Sequence, residues 1–250
     1  MRPLPALPPF YRLLCFERID STNDEAKRLA AAAAAEGTLV WAEAQSAGRG
    51  RRGRAWLSPP GNLYVSLLLR PRCGAGEAAQ LGFAAAIAVA ETCASFLPAA
   101  AAVRLKWPND VLVGGRKIAG ILLESSSDAR GGLDFLVLGI GVNLAAHPEA
   151  AEFPATSLAA LGATVTPAAM LVPLAERLLA WYETWRGTGF AAVRAAWLDR
   201  AEGLGAPIRV RLASSELNGR FAGLDESGIL LLDGAGGRRR IAAAEIFPAA

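Results

Sequence analysis

Four arginines within six residues are the strongest chemical signal in this 250-residue sequence. They lie in the stretch 48–54, which reads GRGRRGR and is followed closely by Trp56. Arginine presents a planar fork of donors that matches phosphate, and interleaved glycines let the backbone approach an anion and leave the segment mobile when it is empty. The loop therefore predicts a polyphosphate ligand. Arginine-rich runs are also typical of solvated basic loops and nucleic-acid patches, so this pattern alone leaves those alternatives open.

Lysine is rare in the chain, since 26 basic residues include only Lys27, Lys106 and Lys117. A lysine retained in such an arginine-rich sequence can mark a site that needs a compact ammonium charge. Lys27 is expected on a solvated helix surface, whereas the other two lie in apolar, strand-like surroundings. Ala119 and Gly120 follow Lys117 closely, and small residues there suggest a ligand that passes near the backbone. The alternative for Lys117 is an edge-strand lysine that faces water.

Composition excludes several other chemistries. With one histidine, His147, a histidine metal cluster is excluded and a Ser-His-Asp triad is not expected. The three cysteines form no CxxC pair, so the sequence predicts neither a zinc site nor a disulfide framework. No GxxxxGK[ST] loop is present, and Gly139-Ile140-Gly141 lacks the third glycine of a dinucleotide fingerprint. The formal net charge is only +3, with positive charge concentrated at 49–54 and 238–240, which favours local anion sites over a general nucleic-acid coat.

Strands and helices must position these residues, and their pattern predicts an α+β fold with a mixed sheet and flanking helices. Thr22 and Glu25 have the spacing of a capping box, and the alanine run 30–35 favours a helix that Gly37 ends. A polar turn at 125–132 between two apolar runs predicts a hairpin. Periodicity predicts strands at 11–18, 38–44, 62–69, 103–107, 111–113, 117–124 and 133–143, and helices at 77–96, 167–185 and 190–201.

The character of the chain changes after Gly203. Short strands at 208–212, 220–224, 229–232 and 239–241, joined by tight turns, predict a small barrel-like module. The first nine residues contain four prolines and do not resemble a signal peptide. The apolar stretch 81–103 is interrupted by Glu91 and Pro98, which favours a buried amphipathic helix over a membrane span. A cytoplasmic protein without a membrane role is therefore expected.

Several motifs occur together in one order: DSTN (20–23), Gln45, GRGRRGRAW (48–56), KWPND (106–110), KIAGILLE (117–124) and GIGVN (139–143). Each is weak alone, but the ordered set is specific and resembles the biotin protein ligases, also called biotin–[acetyl-CoA-carboxylase] ligases. The resemblance implies a catalytic domain at 1–203 with a class II aminoacyl-tRNA synthetase-like core, and an SH3-like β-barrel at 204–250. Some members carry an N-terminal winged helix-turn-helix. Only 19 proline-rich residues precede Asp20 here, so we expect the ligase-only type.

The resemblance also implies a reaction and its partners. Members activate biotin with ATP and Mg²⁺ to biotinyl-5'-AMP, then pass the acyl group to a lysine of a biotin carboxyl carrier protein. Both steps depend on positioning and charge stabilisation rather than on a covalent enzyme intermediate. We expect a monomer or weak homodimer that binds no specific DNA and no membrane.

Site residues carry over by matching each motif. The catalytic group implied is Lys117, Arg49 and Arg51, with Lys117 holding the biotin carboxylate against the α-phosphate. The biotin-binding residues implied are Ser21, Thr22, Asn23, Gln45, Arg49, Gly50, Arg51, Lys117 and Gly120, and those for ATP are Arg51, Arg54, Trp56, Asn109, Lys117 and Asn143. Magnesium is expected on the ATP phosphates, with Asn109 as its candidate protein contact. Trp56 is expected to offer an aromatic face to adenine, and a loop-anchoring role is the alternative.

Two other functions stay open. Lipoate ligases and octanoyltransferases share the fold and the acyl-transfer logic, although the arginine loop followed by tryptophan favours biotin. A non-enzymatic protein that grips nucleic acid would require salt-sensitive binding that ignores biotin.

Overall fold

Two sheets organise the chain in the computed structural model, which describes residues 5–127, 132–149, 153–212 and 215–248. The larger is a mixed seven-stranded sheet with the strand order β1-β2-β3-β7-β6-β5-β4. Its strands are β1 (Arg12–Ile19), β2 (Thr38–Gln45), β3 (Leu63–Leu69), β4 (Val103–Lys106), β5 (Asp110–Val113), β6 (Arg116–Ser127) and β7 (Leu133–Val142). Only β1 and β2 pair in parallel, and every other pairing in this sheet is antiparallel. The predicted α+β fold with a mixed sheet is confirmed.

Helix α1 (Thr22–Ala31) crosses between the parallel strands β1 and β2. Its N-cap is Ser21, whose side chain accepts a hydrogen bond from the Asp24 backbone N–H, so the predicted capping box at Thr22 and Glu25 is wrong by one residue. Thr22 does not cap because its hydroxyl faces Gln45 and the neighbouring strand. The helix also ends earlier than predicted, at Ala31, because the chain turns back there.

Helices cover the opposite face of this sheet. The segment predicted as one helix at 77–96 is two, α2 (Ala75–Ala78) and α3 (Leu81–Ser95), with tight i to i+3 hydrogen bonds between them. Helices α4 (Pro167–Thr188) and α5 (Phe190–Leu198) pack against α3. Burial of α3 extends around most of its surface, so it is not the amphipathic helix predicted.

The segment Ala75–Ser95 is long and apolar enough to cross a membrane by length and composition, and 78% of its most apolar window is buried inside the protein.

The second sheet is antiparallel, with the strand order β11-β10-β9-β8-β12. Its strands are β8 (Pro207–Arg211), β9 (Glu216–Leu224), β10 (Leu230–Gly234), β11 (Gly237–Ile241) and β12 (Glu245–Pro248). The sequence did not predict β12, which pairs with β8 and places Glu245 opposite Arg211. The predicted hairpin of β6 and β7 is present, although residues 128–131 of its turn lie outside the described residues.

The two faces of the large sheet differ in how they are covered. Residues of β3 and β7 point alternately to the two faces. One set packs with α3 to α5 in the main core. The other set meets α1, where Ala26 and Ala30 pack on Val40, Leu68 and Val137. This second cluster is small, so α1 covers only part of that face, and the remainder forms the wall of a cavity.

Candidate active site

A cavity of about 360 Å³ opens on the sheet face next to the N-terminus of α1. Its lining contains every residue that the sequence nominated for catalysis or for biotin and ATP binding. These are Ser21, Thr22, Asn23, Gln45, Arg49, Gly50, Arg51, Arg54, Trp56, Asn109, Lys117, Gly120 and Asn143. The structure therefore brings together residues that are up to 122 positions apart in the chain, between Ser21 and Asn143.

Three glycines form the floor of the cavity. Gly120 of β6 lies directly opposite Gly141 of β7, and Gly139 is two residues before Gly141. A Cβ at Gly141 would lie 2.7 Å from the Trp56 ring, and one at Gly120 would lie 3.3 Å from Lys117 Nζ. The side-chain layer is missing here, so other groups can lie directly on the sheet. The sequence predicted a close ligand approach at Gly120, but the part that Gly139 and Gly141 take in the floor was missed.

Four polar side chains line one end of the floor and Ser66 lies behind them, and we call Ser21, Thr22, Asn23, Gln45 and Ser66 the head-group set. Thr22 N donates to Gln45 Oε1 at 2.8 Å, and Ser66 Oγ lies 2.8 Å from Thr22 Oγ1 and 2.6 Å from Asn23 Oδ1. Thr22, Asn23, Gln45 and Ser66 thus fix one another, and the Ser21 hydroxyl is held by the Asp24 backbone. Sequence reasoning missed Ser66, although a serine inside the apolar strand LYVSLLL was a usable signal, because a buried hydroxyl requires a partner.

The side-chain amide of Asn23 is closely surrounded by other protein groups. Its Nδ2 donates to Glu124 Oε2 at 2.7 Å, while Oδ1 faces Ser66. A Cβ at Gly139 would lie 2.9 Å from Asn23 Cγ, so only glycine fits beneath this amide. Both ends of the amide are therefore engaged within the protein.

The arginine loop has a defined conformation over residues 48–56. An isolated bridge joins Arg49 to Ala55, and Trp56 N donates to Gly48 O at 2.9 Å. Between them lies a 3-10 turn, Arg51–Gly53, in which Arg52 has a φ of 56°. This left-handed value is uncommon for a residue other than glycine.

The arginines of the loop differ in their partners, although Arg52 and Arg54 both lie within ion-pair distance of Glu245. Arg49 donates to the carboxylates of Asp24 and Glu124, and Arg54 forms an ion pair with Glu245 of β12. Arg49 therefore ties the loop to α1 and β6, whereas Arg54 ties it to the second sheet.

Arg51 differs because it makes no ion pair among the described residues. Its Nη1 lies 3.4 Å from Asn109 Oδ1, and Asn109 Nδ2 in turn donates to Ile121 O at 2.7 Å. Burial, assisted by the nearby Arg52, lowers the pKa of Arg51. Arginine nevertheless stays protonated, so Arg51 brings a positive charge to the cavity wall, where Asp110 attracts it without forming an ion pair.

Lys117 lies at the far end of the glycine floor from the head-group set. Its Nζ is 2.6 Å from Asp110 Oδ1 and 5.3 Å from the centre of the Trp56 ring. The side chain is 24% exposed, so it is not the solvated edge-strand lysine considered as the alternative. Lys117 N donates to Pro154 O at 2.8 Å, which places the segment after residue 152 beside the strand.

Trp56 lies between these groups on the glycine floor. Its Nε1 is buried and donates no hydrogen bond to any described residue. A buried indole N–H usually has a partner, so this atom is suited to an acceptor brought by a ligand.

Aromatic residues extend the cavity toward the second sheet. Phe153 stacks on Phe247 of β12, with ring centres 5.2 Å apart and planes 22° from parallel. Lys106 Nζ lies 4.0 Å from the centre of the Phe153 ring. Neither phenylalanine was nominated from the sequence, because their pairing joins segments that are far apart in the chain.

Asn143 lines the cavity with little of its side chain free. It is 3% exposed, and its Nδ2 donates to Thr156 O at 3.0 Å. This amide fixes the segment that follows Phe153. The predicted contact of Asn143 with ATP stays a prediction.

The described residues contain no group of three or more His, Cys, Asp or Glu side chains that could hold a metal ion. A metal in this cavity would therefore depend on ligands from a bound substrate. Asn109 lines the wall, where its Oδ1 could supplement such ligands, whereas Asp110 is paired with Lys117.

Family models match both parts of the chain. Residues 15–143 match the biotin/lipoate A/B protein ligase family, and residues 203–247 match the biotin protein ligase C-terminal domain.

Curated relatives and solved structures agree with these matches. The chain is 45% identical to the biotin–[acetyl-CoA-carboxylase] ligase of Paracoccus denitrificans, over 92% of this chain and 98% of that protein. It is 35% identical to the bifunctional ligase/repressor BirA of Bacillus spizizenii, over 91% of this chain and 71% of that protein. The structure of the Aquifex aeolicus biotin protein ligase in complex with biotin and ATP superposes with a TM-score of 0.80 at 29% identity, covering 94% and 97% of the two chains.

Proposed function

The chain belongs to the biotin/lipoate A/B protein ligase family, and we propose that it is the biotin ligase that forms biotinyl-5'-adenylate from biotin and ATP and biotinylates a carrier lysine. The observation that carries this proposal is the glycine floor. It joins the head-group set at one end to Lys117 and Arg51 at the other, within one cavity.

The head-group set suits the ureido ring of biotin. That ring needs both donors and acceptors in an otherwise apolar slot, and the hydroxyl and amide groups of Ser21, Thr22 and Gln45 supply both. Gln45 Nε2 donates one proton to Ser58 Oγ at 2.9 Å and keeps a second for a ligand. Asn23 and Ser66 then hold this set in place.

Adenylation joins two anions, so it needs concentrated positive charge. A carboxylate oxygen of biotin attacks the α-phosphorus of ATP, the bond from that phosphorus to the bridging oxygen breaks, and pyrophosphate leaves. Lys117 and Arg51 stabilise the charge that develops on the α-phosphate oxygens. Lys117 is paired with Asp110 in the structure. When the substrates bind, the lysine must therefore shift toward them or donate some of its hydrogen bonds to them.

Magnesium fits this wall of the cavity. Mg²⁺ prefers oxygen ligands and usually keeps several waters besides substrate phosphates, so Asn109 Oδ1 would be its contact with the protein. When bound, the ion would neutralise charge on the phosphates. Trp56, whose ring lies next to Gly120 and Gly141 and whose N–H donates to no described residue, is the proposed adenine contact.

In the second step the carrier lysine, as its neutral amine, attacks the acyl carbon of the adenylate. The new C–N bond forms, the C–O bond to AMP breaks, AMP leaves, and the nitrogen releases its extra proton to water. We propose a biotin carboxyl carrier domain as the acceptor and the cytoplasm as the compartment, because the Paracoccus relative is named for acetyl-CoA carboxylase.

Two further proposals concern the domain boundaries and DNA binding. The catalytic unit is proposed to span 1–203 and the SH3-like unit 204–250. Specific DNA binding is not expected, since Arg238 and Arg240 of the second basic cluster are paired with Asp233 and Asp225.

Transfer to a carrier domain tests the function. The purified protein is incubated with ATP, Mg²⁺ and a recombinant biotin carboxyl carrier domain, with biotin, lipoate or octanoate in separate reactions. We expect a biotin mass increment on one lysine and none with the other two acids. Labelling by lipoate or octanoate alone would move the chain to another branch of the family, and labelling with none of the three would refute the proposal.

A further inference from the structure

Arg49 is the most heavily bonded arginine of the loop. Its Nη2 donates to Asp24 Oδ1 at 2.6 Å and lies 3.1 and 3.2 Å from the two Glu124 oxygens, and its Nη1 also meets Asp24. Lys27 completes the group, at 2.8 Å from Asp24 and 3.0 Å from Glu124. We call Asp24, Lys27, Arg49 and Glu124 the four-charge cluster. It contains two positive and two negative groups, so the charge of Arg49 is neutralised within the protein.

The carboxylates of this cluster remain ionised in the folded protein. Hydrogen bonding from Arg49 lowers the pKa of Asp24 well below its usual range. Burial alone would raise the pKa of Glu124, but the hydrogen bonds from Asn23, Lys27 and Arg49 outweigh it and lower that pKa. Both acids are therefore strong partners for a guanidinium at neutral pH.

Glu124 also reaches the head-group set. One of its oxygens accepts from Asn23 Nδ2 at 2.7 Å, and Asn23 Oδ1 continues the connection to Ser66. A single carboxylate therefore contacts both the start of the arginine loop and the polar end of the cavity. Neither Asp24 nor Glu124 lines the cavity itself, so both act from behind the residues that do.

Gly48, which precedes Arg49, is also closely packed. A Cβ at Gly48 would lie 2.5 Å from Ser58 Oγ and 2.9 Å from Gln45 Nε2. The position of the loop start is thus coupled to the amide of Gln45. Moving Arg49 would displace one wall of the head-group end.

We propose that Asp24 and Glu124 are positioning residues that anchor Arg49, and through it hold the start of the arginine loop against the biotin end of the cavity. The inference rests on the proposed function, because it assigns that end to biotin. It also divides the arginines by task. Arg49 is committed to the anchor, Arg54 binds the second sheet, and Arg51 keeps its charge for the substrates.

The rate of trypsin cleavage after Arg49 measures how firmly Arg49 is held. Cleavage after an arginine requires its side chain to leave its partners and enter the active site of the protease. Arg52 is exposed and lies in the same loop, so the Arg52–Gly53 bond is an internal reference for the Arg49–Gly50 bond. Initial cleavage rates at the two bonds are measured by mass spectrometry on the ligand-free protein. We expect Arg49 to be cleaved at least tenfold more slowly, and Glu124→Gln to raise its relative rate about tenfold.

Kinetics separate positioning from general damage. Glu124→Gln keeps one acceptor oxygen for Asn23, and it removes the charge together with the second acceptor oxygen. The KM for biotin should rise about tenfold, while the KM for ATP and kcat change less than threefold. In an Arg49→Met background the same substitution should add much less than it does alone, because both changes remove the interaction of Arg49 with Glu124. Asp233→Asn, which breaks an exposed ion pair in the second sheet, is the matched control and should match the wild type.

Three results would overturn the anchor. These are equal wild-type cleavage at the two bonds, an unchanged biotin KM in Glu124→Gln, or fully additive effects with Arg49→Met. If Glu124→Gln does not fold, Asp24→Asn is used and the same criteria apply, since it removes the other carboxylate. Wild-type protein that releases no biotin-dependent pyrophosphate would refute the proposed function instead, and the cleavage ratio would still decide the anchor.

Discussion

Replacing Lys117 by alanine removes the charge on which adenylation is proposed to depend. The loss of one preorganised donor to a developing oxyanion costs about 3 to 4 kcal/mol, which corresponds to a fall of about two to three orders of magnitude in kcat. The structure adds a second effect. Asp110 lies 2.6 Å from Lys117 and is only 14% exposed, so its carboxylate would be left unpaired beside two anionic substrates.

This second effect predicts a specific pattern in the double variant. Lys117→Ala should raise the KM for ATP as well as lower kcat, because the unpaired Asp110 repels the phosphates. Adding Asp110→Asn removes that charge, so the ATP KM should return toward the wild-type value while kcat stays low. Lys117→Arg should also be severely impaired, since a guanidinium cannot occupy the same point.

Pyrophosphate release at varied ATP and biotin measures each parameter, with circular dichroism to show that the variants are folded. Turnover of Lys117→Ala within tenfold of the wild type would refute the role of Lys117. The charge would then have to come from Lys106, which lies against Phe153. A double variant whose ATP KM stays as high as that of Lys117→Ala would refute the account of Asp110.

Three further outcomes follow from the contacts of the site. Gly139→Ala should raise the biotin KM by at least tenfold with little change in the ATP KM, because its Cβ would displace Asn23, and comparable biotin KM values would contradict this. Glu245→Gln should weaken the ion pair between Arg54 and the second sheet and raise the ATP KM severalfold. Steady-state kinetics should show this rise with an unchanged biotin KM. Glu124 has a lowered pKa in the folded state, so its contribution to the free energy of unfolding should be constant from about pH 5 to 8 and be lost as the pH falls below about 4.5. Urea unfolding across this range should show a smaller acid loss in Glu124→Gln, and identical pH profiles would contradict the assignment.

The sequence predicted the order and type of most elements because their hydrophobic periods are clear. The strands around Val65 and Ile140 were found within one or two residues of their bounds. The capping residue was misplaced because Thr22 is used by a partner 23 positions away, Gln45, and such a contact leaves no local signal. Strand β12 was missed because its sequence, EIFP, has only two apolar residues before a proline and so shows no alternation.

The site followed a similar division. Residues in contiguous motifs, such as Arg51 and Lys117, were nominated from the sequence and lie in one cavity. The carboxylates that pair with Arg49 and Arg54 were not nominated, since Glu124 is 75 positions from Arg49 and Glu245 is 191 positions from Arg54. Long-range ion pairs depend on how strands are placed in the sheet, and that placement cannot be read from the spacing of charges along the chain.

Biotin-dependent release of pyrophosphate from ATP is the most direct test of the central claim. The purified chain is incubated with ATP and Mg²⁺, with and without biotin and in the absence of any carrier protein, and both pyrophosphate and the nucleotide product are measured. The account predicts release that requires biotin, together with one equivalent of biotinyl-5'-adenylate retained by the protein. Pyrophosphate released at the same rate with and without biotin, or no release in either case, would contradict it.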